Sequence, residues 1–237
     1  MNRTLHAELI LPNVKTLCNR IHERFPNRSL SKVCTELYQA ALESQEQARK
    51  IARPNIPLRV AIGFLIVMLI VVSTTALFNI DFSFESLSLL DVVTLFESTI
   101  NDFIFIGAGI YFLVSIENRI KRRLSLKELN ELRAMAHIID MHQLTKEPEG
   151  LLKRGKDTKS SPKRDLNAFE LSRYLDYCSE MLSIIGKIAV IYVEHFDDQV
   201  VLKTVNEIEA LTNGLSRKIW QKLMIIHQLE EDHKVNS

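Results

Sequence analysis

From Val60 to Ile80 the chain runs for twenty-one residues without a charge, VAIGFLIVMLIVVSTTALFNI. A helix of that length rises about 30 Å, the thickness of a bilayer's hydrocarbon core, and about 20 apolar residues suffice to cross it. A chain that must house such a run is constrained first by lipid, and this predicts an integral membrane protein. Charges are scattered through the first sixty residues, and the run starts late and is long. It therefore reads as a retained anchor rather than a cleaved signal. Seven glycines and six prolines in 237 residues suit an all-α chain better than a turn-rich β one.

Charge on the flanks of the run sets its direction. Arg49, Lys50, Arg53 and Arg59 precede it, whereas residues 81–102 carry five acids and no Lys or Arg. A second apolar run, Phe103 to Ile116, is followed at once by Arg119, Lys121, Arg122 and Arg123. The positive-inside rule then predicts a two-helix hairpin with both termini cytoplasmic and the acidic connection outside. The second run is short: fourteen uncharged residues rise only about 21 Å, so an interfacial segment is the alternative to a full span. Gly107, Ala108 and Gly109 are ordinary small residues or points of close approach to Gly63. In the connection, Leu87, Leu90, Val93 or Thr94, and Glu97 follow helical spacing and predict a short amphipathic helix.

These signals divide the chain into N-terminal cytoplasmic helices (1–57), a first transmembrane helix (58–80), an acidic extracytoplasmic loop (81–102), a second transmembrane helix (103–118) and a cytoplasmic antiparallel helical bundle (119–237). Within 1–57, Pro26 and Asn27 separate a helix over about Leu5 to Phe25 from one that Ser29 or Ser31 caps and that runs to about Ala52. Leu30, Val33, Leu37, Ala41 and Ala48 give the second an apolar stripe. After the second span a helix to about Leu144 is expected, ended by Pro148 and Gly150. The linker at 150–165 holds six basic residues between Lys153 and Arg164. It is either a solvated connection or a contact for anionic lipid.

Beyond the linker, Leu171, Leu175, Cys178, Leu182, Ile185, Ala189, Tyr192 and Phe196 alternate spacings of four and three, the heptad order of a packed helix. A further helix follows Asp197 or Asp198, one of which is its expected N-cap. Its core face is Val201, Val205, Ile208, Leu211, Leu215, Ile219, Leu223 and Ile226, with Asn213-Gly214 a point where it kinks or breaks.

Chemistry is sparser. His137, Asp140 and His142 are the candidate metal ligands, since imidazole and carboxylate suit zinc or iron. On a straight helix, however, His142 falls nearly opposite Asp140, and a polar pair of His137 with Asp140 is the plainer reading. His195, Asp197 and Asp198 at the next junction are the residues that would complete such a site. The three cysteines, Cys18, Cys34 and Cys178, are widely spaced and read as reduced cytosolic thiols. No phosphate-binding loop, dinucleotide fingerprint or nucleophile elbow is present, so no catalytic residue or cofactor is indicated. A net charge of +1 argues against nucleic acid as a partner. Trp220, beside Arg217, Lys218 and Lys222, is either an interface residue or a packing residue.

The expected function is a non-enzymatic adaptor or signalling element. It would be anchored in the inner membrane and act through its cytoplasmic bundle on a protein partner or as a homo-oligomer. The alternatives are a metal-dependent enzyme built on His137, Asp140 and His142, and an oligomeric membrane effector or pore. The spans lack the buried charge that usually marks an ion path.

Overall fold

A computed structural model describes residues 7–78, 89–148, 159–161, 165–194 and 196–235. Six α-helices account for almost all of them: α1 (Ala7–Arg24), α2 (Ser29–Ala52), α3 (Ile56–Phe78), α4 (Leu89–Leu144), α5 (Ala168–Glu194) and α6 (Gln199–Val235). No strand occurs among the described residues. The chain divides into two compact units, one of Met1–Ala52 with Leu124–Ser237 and one of Arg53–Arg123.

In the first unit α5 is the central element, packed by α1, α2 and α6. Every residue of its expected heptad face is buried, from Leu171 to Phe196, and Met181, Ile188 and Ile191 join them. The stripe of α2 is buried as its spacing requires, and Leu129, Leu132, Ala136 and Ile139 bring the last part of α4 into the same core. α5 starts at a reciprocal cap: Asn167 Oδ1 accepts from Glu170 N at 2.8 Å, and Glu170 Oε2 accepts from Asn167 N at 3.0 Å. Asp198 caps α6, its Oδ1 accepting from Val200 N and Val201 N at 3.0 and 3.1 Å. The turn between α1 and α2 is pinned by Phe25, whose ring meets those of Tyr174 and Tyr177 edge-on at 5.6 and 6.2 Å.

Two expectations fail here. α6 does not break at Asn213-Gly214 but continues through it to Val235. One glycine costs a helix only about 1 kcal/mol, less than the buried residues on both sides of it supply. The cysteines are not all free thiols either: Cys18 of α1 and Cys34 of α2 form a disulfide with Cα atoms 5.4 Å apart, leaving Cys178 free and buried. A sixteen-residue separation carries no pairing signal of its own. The α1–α2 hairpin brings the two residues together.

The second unit holds α3 and α4 up to Arg123. Pro57 sits in the first turn of α3, where a missing N–H costs nothing. Both helices are long and apolar enough to cross a membrane, and neither apolar stretch is buried within the protein. Phe64 is 72% exposed and Phe103 73%. Against this, Leu58, Ile62 and Ile66 on α3 and Asp102, Ile106, Gly109, Leu113 and Ile116 on α4 are only half exposed, at spacings of three and four. Glu117 lies at the end of that stripe, almost fully buried. Its carboxylate accepts from Arg59 Nε at 3.0 Å and Asn55 N at 3.3 Å, and meets Lys121 Nζ at 3.1 Å.

The acidic connection departs from expectation. From Leu89 onward it is not a loop with a separate short helix but the first turns of α4, which runs unbroken for 56 residues to Leu144. Nothing between Leu89 and Leu144 stops a helix, since no proline intervenes and the glycines at 107 and 109 are isolated. The start of the connection, 79–88, lies outside the described residues. A Cβ added at Gly63, Gly107 or Gly109 would meet nothing within 4 Å. No close approach depends on these glycines.

Candidate functional site

The three residues singled out as metal ligands do not converge. His137 is exposed. Asp140 Oδ1 accepts a hydrogen bond from Gln143 Nε2 at 2.6 Å, one turn along its own helix. His142 lies elsewhere, its Nδ1 sharing a hydrogen bond with Ser29 Oγ at 3.2 Å. Among the described residues no three His, Cys, Asp or Glu side chains stand close enough to hold a metal. Asp198 is engaged as a helix cap, and His195 lies outside the described residues. The straight continuation of α4 to Leu144 explains the divergence, because convergence required the helix to end near Met141.

What α4 builds instead is a polar end to the first unit. Burial holds the His142 imidazole below its ordinary value, with Glu36 pulling the other way, so the ring is neutral around pH 7. Lys146 lies over the Tyr174 ring at 5.3 Å, and Lys222 Nζ donates to the Gln143 carbonyl at 2.8 Å. Arg28 and Asp165 are ion-paired beside Ser29. These contacts tie the start of α2 and the end of α4 to α5 and α6. Their chemistry is that of a clasp: the hydroxyl–imidazole pair is spent on joining two helix ends.

A second polar cluster surrounds the buried Tyr177. Arg20 and Arg173 lie over its ring at 5.3 and 5.0 Å, and against the upward push of burial Arg173 and Arg24 hold its phenol below its ordinary value. Three arginines at one cleft suggest an anion site. However, Arg20 is bound by Glu180 through two nitrogens at 3.0 and 3.3 Å, and Arg173 by Asp176 at 2.9 Å. Those carboxylates already occupy the geometry a phosphate would use.

The feature least explained by folding lies on α6. Trp220 is 60% exposed and Met224 50%, beside a shallow cleft lined by Ser172, Asp176, Leu223, His227 and Glu230. Trp220 is therefore not a packing residue. The helical pattern contains the signal: Ile219 is buried, and the next position is turned about 100° away from it. Arg217 and Lys218 are exposed before this face, and Glu231 is exposed after it. Trp and Met on a charged rim are the composition of a protein-binding surface.

The basic segment 153–164 lies outside the described residues except at 159–161, so its expected contact with anionic lipid has no geometry here. No protein-family model matches this chain, and neither does any curated protein or solved structure.

Proposed function

We propose that this chain is a two-span inner-membrane protein with both termini in the cytoplasm. Its helical cytoplasmic unit acts as a non-enzymatic adaptor or signalling element by pairing with a second copy of itself through α6. The observation that carries the reading is the exposed Trp220–Met224 face with opposite charges at its two ends. If two α6 helices run antiparallel about Met224, Arg217 of each copy faces Glu231 of the other, both lying within about 20° of the Met224 direction. That arrangement is the self-complementary contact of a twofold dimer.

The membrane part of the reading rests on separate support. Basic residues flank the outer ends of both apolar stretches, and the apolar side chains between them are exposed. The Arg59–Glu117 pair joins the start of α3 to the far end of the apolar run in α4. An antiparallel hairpin brings those two points to one membrane face. The half-exposed stripes of α3 and α4 supply its seam.

The pairing is tested by the mass of the full chain in mild detergent. A dimer is expected for the native protein and a monomer for the reversal Arg217→Glu, which sets two like-charged pairs across the twofold contact. Adding Glu231→Lys to that variant restores opposite charges across the contact and should restore the dimer. A native monomer, or a reversal that leaves the mass unchanged, removes the proposal.

A further inference from the structure

Cys18 and Cys34 cross-link the two helices of the N-terminal hairpin, and the two ends of the bond differ in access. Cys34 is fully buried, whereas Cys18 is only half buried on α1. Their Cα separation of 5.4 Å lies inside the range in which a disulfide closes without backbone movement. The third thiol, Cys178, is buried in the core, and burial pushes it up to about 12, which leaves it unreactive at neutral pH. α1 is otherwise held by its apolar stripe and by Arg20 on Glu180, at the edge of an apolar groove against α5 lined by Leu9, Leu17 and Ile184. The proposed cytoplasmic placement puts this pair in a compartment whose glutathione pool keeps accessible thiols reduced.

We propose that Cys18 and Cys34 are a reversible thiol–disulfide switch, which locks α1 to α2 when the surrounding low-molecular-weight thiol pool turns oxidising. The inference rests on the cytoplasmic placement proposed above. In the forward step the Cys18 thiolate attacks one sulfur of a glutathione-type disulfide and expels one glutathione thiolate. The Cys34 thiolate then attacks the Cys18 sulfur of the mixed disulfide and expels the second. Two protein thiols and one small disulfide become one protein disulfide and two small thiols. Two electrons pass to the glutathione, whose thiols take up the two protons. Excess reduced glutathione drives the same steps backward, entering at Cys18.

The test counts free thiols on the full chain by mass-tagged maleimide after acid quenching and denaturation. Purified protein in detergent is first equilibrated with glutathione buffers of graded oxidised-to-reduced ratio. The expected result is three tags at the reducing end and one, on Cys178, at the oxidising end, with a reversible transition between. One tag at every ratio means a permanent structural bond, and three at every ratio means no bond; either overturns the switch. Cys18→Ser should hold two tags throughout, because Cys34 and Cys178 are both buried, whereas Cys34→Ser should fall to one tag at the oxidising end and gain the mass of one glutathione, the trapped mixed disulfide on Cys18. Hydrogen exchange on α1 adds a readout independent of tag counting: the amides of 7–24 should exchange faster in the reduced form, a difference absent from Cys18→Ser.

The placement is tested separately. A single cysteine at Ser237, in a chain with Cys18, Cys34 and Cys178 replaced by Ser, is exposed on intact cells to a membrane-impermeant maleimide. Labelling there defeats the cytoplasmic reading, whereas the glutathione titration alone decides whether the pair exchanges.

Discussion

His142 shows how a single side chain reports on its surroundings. Its imidazole is held by Ser29 and kept from charging by burial. The unfolded chain takes up this proton near pH 6.5, and the folded chain only at lower pH. Between those two values the unfolded state binds more protons, so stability rises with pH through the window and levels off above about 6.5. Chemical denaturation from pH 5 to 8 should show this slope for the native chain and a flatter one for His142→Gln; equal slopes would assign the dependence to other groups. Asp198 is simpler, because its carboxylate takes the Val200 and Val201 amides in the first turn of α6. Asp198→Ala should cost about 1 kcal/mol and Asp198→Asn much less, read as shifts in denaturation midpoint. Its capping role was expected, because a short acid before a periodic apolar run has few other uses. The partner of His142 was not, since Ser29 lies 113 positions away.

Within the helices the apolar spacing carried most of the information. The heptad face of α5 and the stripes of α2 and α6 are buried nearly position by position, because a period of 3.6 leaves only one surface to hide. Boundaries between neighbouring helices were less legible. The fusion of the acidic connection, the second apolar run and the following amphipathic helix into α4 depends on no stop signal being present, and absence of a signal is weak evidence. Helix contacts were not legible at all. Gly186 of α5 faces α6 so closely that a Cβ there would lie 3.4 Å from Thr212 Oγ1. Gly186→Ala should be close to neutral, since ordinary contact and better helix propensity offset each other. Gly186→Leu should cost about 1–3 kcal/mol by overpacking. A thermal scan of the two variants distinguishes them, and equal melting temperatures would mean that α5 and α6 separate freely there. The Cys18–Cys34 bond closes a loop of sixteen residues, for which chain entropy suggests about 3 kcal/mol. Reducing it should lower the melting temperature by several degrees in the native chain and leave Cys18→Ser unchanged.

Taken whole, the molecule combines a unit that hides its apolar residues with one that displays them. Apolar side chains exposed along two helices need an apolar cover; with lipid as that cover, as proposed above, the chain should remain with the membrane pellet through high salt and alkaline carbonate. Release by carbonate would make it peripheral. Glu117 is the buried charge of the second unit, and Glu117→Ala leaves Arg59, Lys121 and the Asn55 amide without their shared partner. A loss of about 2 kcal/mol is expected, seen as lower thermal stability in detergent; Arg59, being largely exposed, should matter less. The two helices long and apolar enough to cross a membrane, the all-helical class and the buried faces were decided by local sequence, because hydrophobic length and period are properties of a single segment. The tertiary structure alone decided that Cys18 meets Cys34 and that His142 joins Ser29 rather than His137 and Asp140. Each of these depends on which helices lie side by side and how far each is rotated, and contacts between distant segments leave no periodic trace in either segment.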